Sequence, residues 1–302
     1  GEQSCMRVVL DSVGVPLSIF ESMQKLMQAM QDAIEGELLA KHLCHLCVGH
    51  SRVGIMHRDI RDGNVMIIHD PCKKHVGLMN NFDYSCLVDL QHYVDADGNR
   101  GSPLSNDDLN MVDKLKRELK ERTGMPQFIS VSLLQARGVN SNSEPIESEP
   151  IEHTVCHDLE LFYWLLIWIV LCHTDHSSIH GALACSRLFD ASIDGDAFEL
   201  RTGHLGKMPL CMEGGEPLSW LMRRLKSLVT AAYPDELVGP VVLGDDGERH
   251  ATLLMYKSVL QAFNQALVMD GWPENDKAIP FPPPTLCQTL NFGSSGEQKD
   301  SV

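Results

Sequence analysis

The twelve residues 161–172 read LFYWLLIWIVLC, with no charge and no helix breaker among them. A helix that is apolar on every face has no stable place in water except the middle of a fold. The run is also shorter than the roughly 20 residues that a bilayer span requires. It therefore predicts a central buried helix around which the other elements pack. Asp158, at the predicted start of that helix, reads as an N-cap whose carboxylate accepts from free backbone N–H groups. With 302 residues, 43% of them hydrophobic, the chain can supply the surrounding layer.

The charge balance narrows the partners. A formal charge of −16 opposes binding to nucleic acid and to anionic membrane surfaces, because both need a basic footprint. The acidic balance is first a statement about solubility. The ten Cys are mostly scattered. One C-x-x-C pair occurs, Cys44 and Cys47, with His42, His45 and His50 nearby. A structural zinc site draws on a second such pair, and the sequence has none, so no metal centre is expected there. The pair also lies in a helical pattern. Free thiols and the lack of a secretory signal predict an intracellular protein, cytoplasmic or nuclear. The first residue is Gly, so the sequence is expected to be processed or a fragment.

Periodicity gives the remaining elements. Residues 5–14, CMRVVLDSVG, predict a strand ending in the turn VGVPL. From 18 to about 48, apolar residues recur at helical spacing (Ile19, Phe20, Met23, Leu26, Met27, Met30, Ile34, Leu38), predicting one long helix or two with a Met-rich core face. Residues 65–68 and 76–79 predict a small hairpin closed by HDPCKK. A polar loop over 95–108, a charged helix over 109–122 and an acidic Pro/Ser loop over 141–153 follow. Helices are predicted from 158, over 219–233 and over 250–271. The organisation is one domain over 1–273 and a loosely attached, disordered Pro/Ser-rich tail over 274–302.

Between the long helix and the hairpin stands GIMHRDIRDGNVMI, residues 54–67. An H-R-D followed by an apolar residue, with Asn five positions after the Asp, is the spacing of a phosphotransfer loop, in which Asp is the base and Asn a magnesium ligand. Other stretches stand in matching order. NFDYS (81–85) resembles a D-F-D metal motif, RTGMPQFISVSLL (122–134) resembles the end of an activation segment, and HDLEL (157–161) resembles an HDLES helix start. Together these motifs resemble the fungal-type protein kinase family over about residues 5–170.

The resemblance implies a mainly α (α+β) fold: the helical C-terminal lobe of a protein kinase, with a short β-hairpin at the catalytic loop. The N-terminal lobe, with its Gly-rich loop, strand Lys and helix Glu, is expected to be absent or incomplete. The implied activity is ATP-dependent phosphoryl transfer to Ser or Thr hydroxyls on proteins, with ATP and Mg2+ as cofactors. Asp59 is the implied base. Arg58 belongs to the same triplet, and Arg61 sits where a phosphate-contacting Lys is usual. Asn64 is the implied magnesium and nucleotide ligand, and His57 and Asp158 are implied scaffold residues. Three departures argue for catalytic degeneracy. Asn81 stands where the metal-binding Asp belongs, leaving Asp83 as a displaced carboxylate. Met125 replaces a Thr that donates to the catalytic Asp, and Ser132 replaces a Glu that makes a buried ion pair. Little catalysis is expected of the chain, with a pseudokinase scaffold as the alternative. The apolar surface around the hinge strand and residues 65–68, left bare, predicts self-association.

Overall fold

The computed structural model describes residues 14–47, 54–70, 72–82, 85–88, 128–138, 153–178, 180–191, 194–206, 215–233 and 252–281. It is mostly helical, with a small three-stranded antiparallel sheet. The strands are β1 (Gly14–Pro16), β2 (Gly54–Met56), β3 (Val65–Ile68), β4 (Gly77–Met79) and β5 (Cys86–Val88). The helices are α1 (Met23–Cys47), α2 (Val131–Gly138), α3 (Val155–His173), α4 (Ala184–Phe189), α5 (Asp194–Leu205), α6 (Glu216–Ala231) and α7 (Tyr256–Leu267).

Helix α3 is the predicted central helix. Its side chains from His157 to His173 are buried, with Trp168 alone partly exposed. It starts earlier than the apolar run suggests. Thr154 is the N-cap, and the His157 ring accepts the Thr154 backbone N–H at 2.8 Å. Asp158 is therefore not the cap but a residue of the first turn, released to face inward. At 19 residues α3 is long and apolar enough to cross a membrane by length and composition alone, a length that the twelve-residue run did not suggest. Most of its surface is buried against other elements of the fold.

Helix α1 forms because Met, Gln, Leu and Ala dominate it and Ser22 caps it, its Oγ accepting from Lys25 N at 3.2 Å. Leu26, Met27, Met30, Ala33 and Ile34 make its buried stripe, as the periodicity predicts. The same helix packs on β4 and on α7. Asp32 ties it to the sheet: its Oδ2 accepts from Val76 N at 2.5 Å and Gly77 N at 3.0 Å. The approach is close enough that a Cβ on Gly77 would lie 1.9 Å from the Ala29 carbonyl oxygen.

The predicted hairpin is present. β3 and β4 pair antiparallel, with Val65 opposite Met79. The sheet is larger than expected, because β1 pairs with the other edge of β3, Pro16 opposite Met66. The segment expected as a VGVPL turn is thus a strand followed by a 3-10 turn, Leu17–Ile19. Pro16 suits this because it lies on an edge strand. A second antiparallel pair, β2 with β5, was not expected. Of the surface expected to be bare, the hinge-strand residues 5–13 lie outside the described residues. Val65 and Ile67 turn into the core, while Met66 and Ile68 are half-buried and Ile19 is exposed.

The segment after 273 is not loose over its described part. Ala278 N donates to Phe20 O at 3.0 Å, Ile279 N to His173 O at 2.9 Å, and Asp276 Oδ2 accepts from Met23 N at 3.2 Å. The loops and the charged helix expected between 95 and 122, the acidic loop over 141–152 and the last part of the tail lie outside the described residues, as do the side chains of the C-x-x-C pair.

Gly77→Ala should destabilise the fold by about 2–3 kcal/mol or more, since the collision is with backbone. Gly36→Ala, where an added Cβ meets nothing within 4 Å, should be neutral or stabilising by about 0.5–1 kcal/mol through helix propensity. Urea midpoints of the two variants check the pair, and a Gly77→Ala midpoint equal to wild type refutes the close packing of β4 on α1.

Candidate active site

The segment between β2 and β3 holds the His-Arg-Asp triplet in a cradle built by α3. Asp158 is fully buried at 0% exposure. Its Oδ2 accepts from His57 N at 2.9 Å and Arg58 N at 3.3 Å, and its Oδ1 faces His153 Nε2 at 2.7 Å. Two consecutive N–H groups aimed at one oxygen force the chain to bend. Arg58 sits at φ 66°, a left-handed conformation that costs a side-chain-bearing residue free energy and persists only where the surroundings impose it.

His57 is fixed at three points. Its Nε2 lies 2.8 Å from the Asn80 carbonyl oxygen, which can only accept, so Nε2 carries the proton. Its Nδ1 then accepts the Asp59 N–H at 3.3 Å. Phe82 packs edge-on against the ring with centroids 4.8 Å apart. Asp62, two residues before Asn64, anchors the loop to the turn after β1 by accepting from Ser18 N at 2.9 Å and Ser18 Oγ at 3.0 Å.

The triplet ends on Asp59, whose Oδ2 accepts from Arg61 Nε at 3.1 Å and Asn64 Nδ2 at 2.7 Å. Asn64 Nδ2 also bonds the Asp59 carbonyl at 2.7 Å. The remaining Asn64 atom, Oδ1, accepts from Asn81 Nδ2 at 3.2 Å. Asn81 has φ 57°, a region Asn and Asp tolerate better than other non-Gly residues. An amide chain therefore runs Asn81 to Asn64 to Asp59.

Of the residues singled out in the sequence, the fold brings His57, Arg58, Asp59, Arg61, Asn64, Asn81 and Asp158 together. Asp83 and Met125 lie outside the described residues. Ser132 is on α2, away from Asp59, and its N–H reaches Tyr233 Oη at 3.4 Å.

The N-terminus of α2 meets an acid from α3. Glu160, buried, accepts from Val131 N at 2.9 Å, Trp164 Nε1 at 2.8 Å and the Tyr233 hydroxyl. Burial pushes its carboxyl up, against the pull of these donors and of Arg201. Arg201, at 0% exposure, donates to the Ile129 carbonyl and lies over the Trp164 and Phe189 rings at 5.1 and 5.7 Å. Burial lowers it to about 10, so it stays charged at neutral pH. Sequence reasoning missed both residues. The available signal was a Glu just ahead of an otherwise apolar helix run.

The model of the fungal protein kinase family matches residues 2–170, more than half of the chain, and the chain belongs to that family. No curated protein and no solved structure matches it.

The family generally works with ATP and Mg2+, which invites a test of the donor set. Magnesium favours charged oxygen ligands. At the two expected positions stand neutral amides, Asn64 and Asn81, hydrogen-bonded to each other. Among the described residues the carboxylate beside them, Asp59, is engaged by Arg61 and Asn64. No group of three or more His, Cys, Asp or Glu suited to a metal exists among the described residues. The described residues do not by themselves make a magnesium site.

Asp158→Ala should cost about 3–5 kcal/mol, because it strands the buried His57 and Arg58 amides and removes an embedded charge. A denaturation midpoint equal to wild type would remove the anchoring role. A second expectation concerns pH. His157 is lowered to about 4 by burial, then by the charge of His153, with Asp158 pulling it up. Its folded value lies below the unfolded 6.5, so its contribution is full above the unfolded value and lost as pH falls through the folded one. His157→Gln, which can keep the cap, should remove a pH-dependent contribution of about 3 kcal/mol between those limits. The check is the difference in midpoint between wild type and variant; a difference independent of pH contradicts it.

Proposed function

We propose that the chain is the helical C-terminal lobe of a protein-kinase fold, with a catalytic loop assembled for phosphoryl transfer to protein hydroxyls and a metal position that has lost its charge. Asp59 would accept the hydroxyl proton of a Ser or Thr. Arg61, on the rim of the loop, would neutralise charge on the phosphoryl group, though an Arg is not equivalent to a Lys there. His57 and Asp158 would hold the loop, as their hydrogen bonds allow. The single observation that carries the reading is the Asn64–Asn81 bond. The loop would position Asp59 for transfer, while the two residues at the expected metal positions are neutral amides joined by a hydrogen bond.

Phosphoryl transfer depends almost wholly on positioning and charge neutralisation. A site with the first and without the second transfers feebly or not at all. A scaffold role without transfer is therefore the second reading, favoured by the same amide bond. For either reading the partners are proteins, and the acidic charge disfavours nucleic acid and anionic membranes. The half-buried Met66 and Ile68 with exposed Ile19 form the surface through which self-association would occur. An intracellular location, cytoplasmic or nuclear, fits the four unpaired thiols among the described residues.

The test is radiolabel transfer from ATP to a generic protein substrate by the intact gene product. Asn81→Asp should raise magnesium-dependent transfer about tenfold or more, since it places a charge where charge develops. Its φ suits Asp, so the fold should tolerate it. Asp59→Asn added to that variant should remove the gain. Equal transfer before and after Asn81→Asp, at a measurable level, refutes the metal argument. No transfer by either protein leaves the scaffold reading.

A further inference from the structure

Behind the loop lies a second carboxyl that the kinase reading does not use. Glu37, on α1, is 1% exposed. Its carboxyl abuts that of Asp158. The other groups around the pair are the His57 and Arg58 amides from the loop, His153 and His157 at the start of α3, and the Tyr256 hydroxyl from α7.

The two acids differ in what faces them. Asp158 receives both loop amides and meets His153. Neither oxygen of Glu37 has a donor in hydrogen-bond geometry, although both are sealed from solvent, and the Tyr256 oxygen beside it is also without a hydrogen-bond partner. Two carboxylates in contact inside a core cannot both ionise, and the one with donors keeps the charge. The other must then be a neutral acid, whose O–H needs an acceptor, and the acceptor in contact is Asp158.

We propose that Glu37 carries a proton at neutral pH and donates it to Asp158, making Glu37 a positioning residue that clamps the anchor of the His57-Arg58-Asp59 loop from behind. Burial first, and then the Asp158 charge, hold Glu37 well above the ordinary carboxylate range. Asp158 is held below that range: burial pushes it up, and the hydrogen bond and charge of His153, the bond from Glu37 and the Arg58 amide outweigh that push. The inference rests on the burial and contact of these two carboxyls, so it stands whether or not phosphoryl is transferred.

The sign follows from linkage. A carboxyl raised in the folded state gives stability that is full below its unfolded value of 4.5 and is lost as pH rises through the folded value. Glutamine offers Asp158 the same donor without titrating, and methionine offers none. Urea midpoints are to be measured from about pH 5 to about pH 8 in His157→Gln protein, which removes the opposing His157 term. The midpoint with Glu37 should fall relative to Glu37→Gln as pH rises, and Glu37→Met should lie below both at the acid end. Parallel curves for Glu37 and Glu37→Gln, or a Glu37→Met midpoint equal to that of Glu37, overturn the proposal. If the variants do not fold, the Glu37 carboxyl carbon resonance of wild type decides. A protonated shift near neutral pH supports the clamp and an ionised one overturns it.

Discussion

One carboxylate, Asp158, organises the described structure. It is charged, sealed from water, and placed at the base of the most apolar helix in the chain. Such a charge is tolerable only where donors surround it, and two of them are backbone N–H groups of the loop carrying Asp59. The free energy that would be lost by leaving Asp158 unpaired is what holds Arg58 at a positive φ. Geometry at the Asp59 end of the loop is therefore set from the core outward. Asp59 points toward Arg61 and Asn64 because the two residues before it cannot relax.

Helix α3 does this twice. One turn supplies Asp158 to the loop. Two residues later Glu160 faces a different direction and meets the N-terminus of α2, the Tyr233 hydroxyl and the side of Arg201. The apolar run that follows makes both possible, because it packs α3 against α4 and α6. Two buried charges at one helix end would be ruinous in a loosely packed protein. Here each has donors from elements distant in sequence, and so each joins parts of the chain that the hydrophobic core alone would leave free to slide.

This arrangement explains which parts were legible in the sequence. The central helix, the Met-rich face of α1 and the β3–β4 hairpin announce themselves by local pattern, and the loop residues His57 to Asn64 by spacing. The β2–β5 pair was not legible, since three-residue strands carry too little alternation and their pairing is decided by distant neighbours. β1 was read as a turn because Pro16 is a turn residue unless an edge strand is waiting for it. Helices α4 and α5 are short and weakly amphipathic. Arg201 looks like a surface charge in the sequence; only the fold shows Trp164 and Phe189 beneath it. Glu160 was not legible as a partner of the α2 N-terminus, because its contacts with Val131 N and the Tyr233 hydroxyl join elements far apart in sequence.

The contrast between the two ends of the loop is the most informative feature of the site. At the buried end both His57 ring nitrogens and the backbone N–H groups of His57, Arg58 and Asp59 are engaged, two of them by the Asp158 carboxylate, and the arrangement resists change. At the other end a single bond of 3.2 Å joins buried Asn64 to half-buried Asn81. A neutral amide pair is a modest interaction, with no charge whose removal would leave a penalty. Replacing an Asp by Asn at position 81 is thus cheap for the fold, since the φ of 57° suits both residues and the new amide finds an acceptor at once. The same replacement is expensive for any chemistry that needs a divalent cation. Selection on stability would not resist it, whereas selection on phosphoryl transfer would. The shape of the loop is therefore independent of the charge at position 81, because it is held by Asp158.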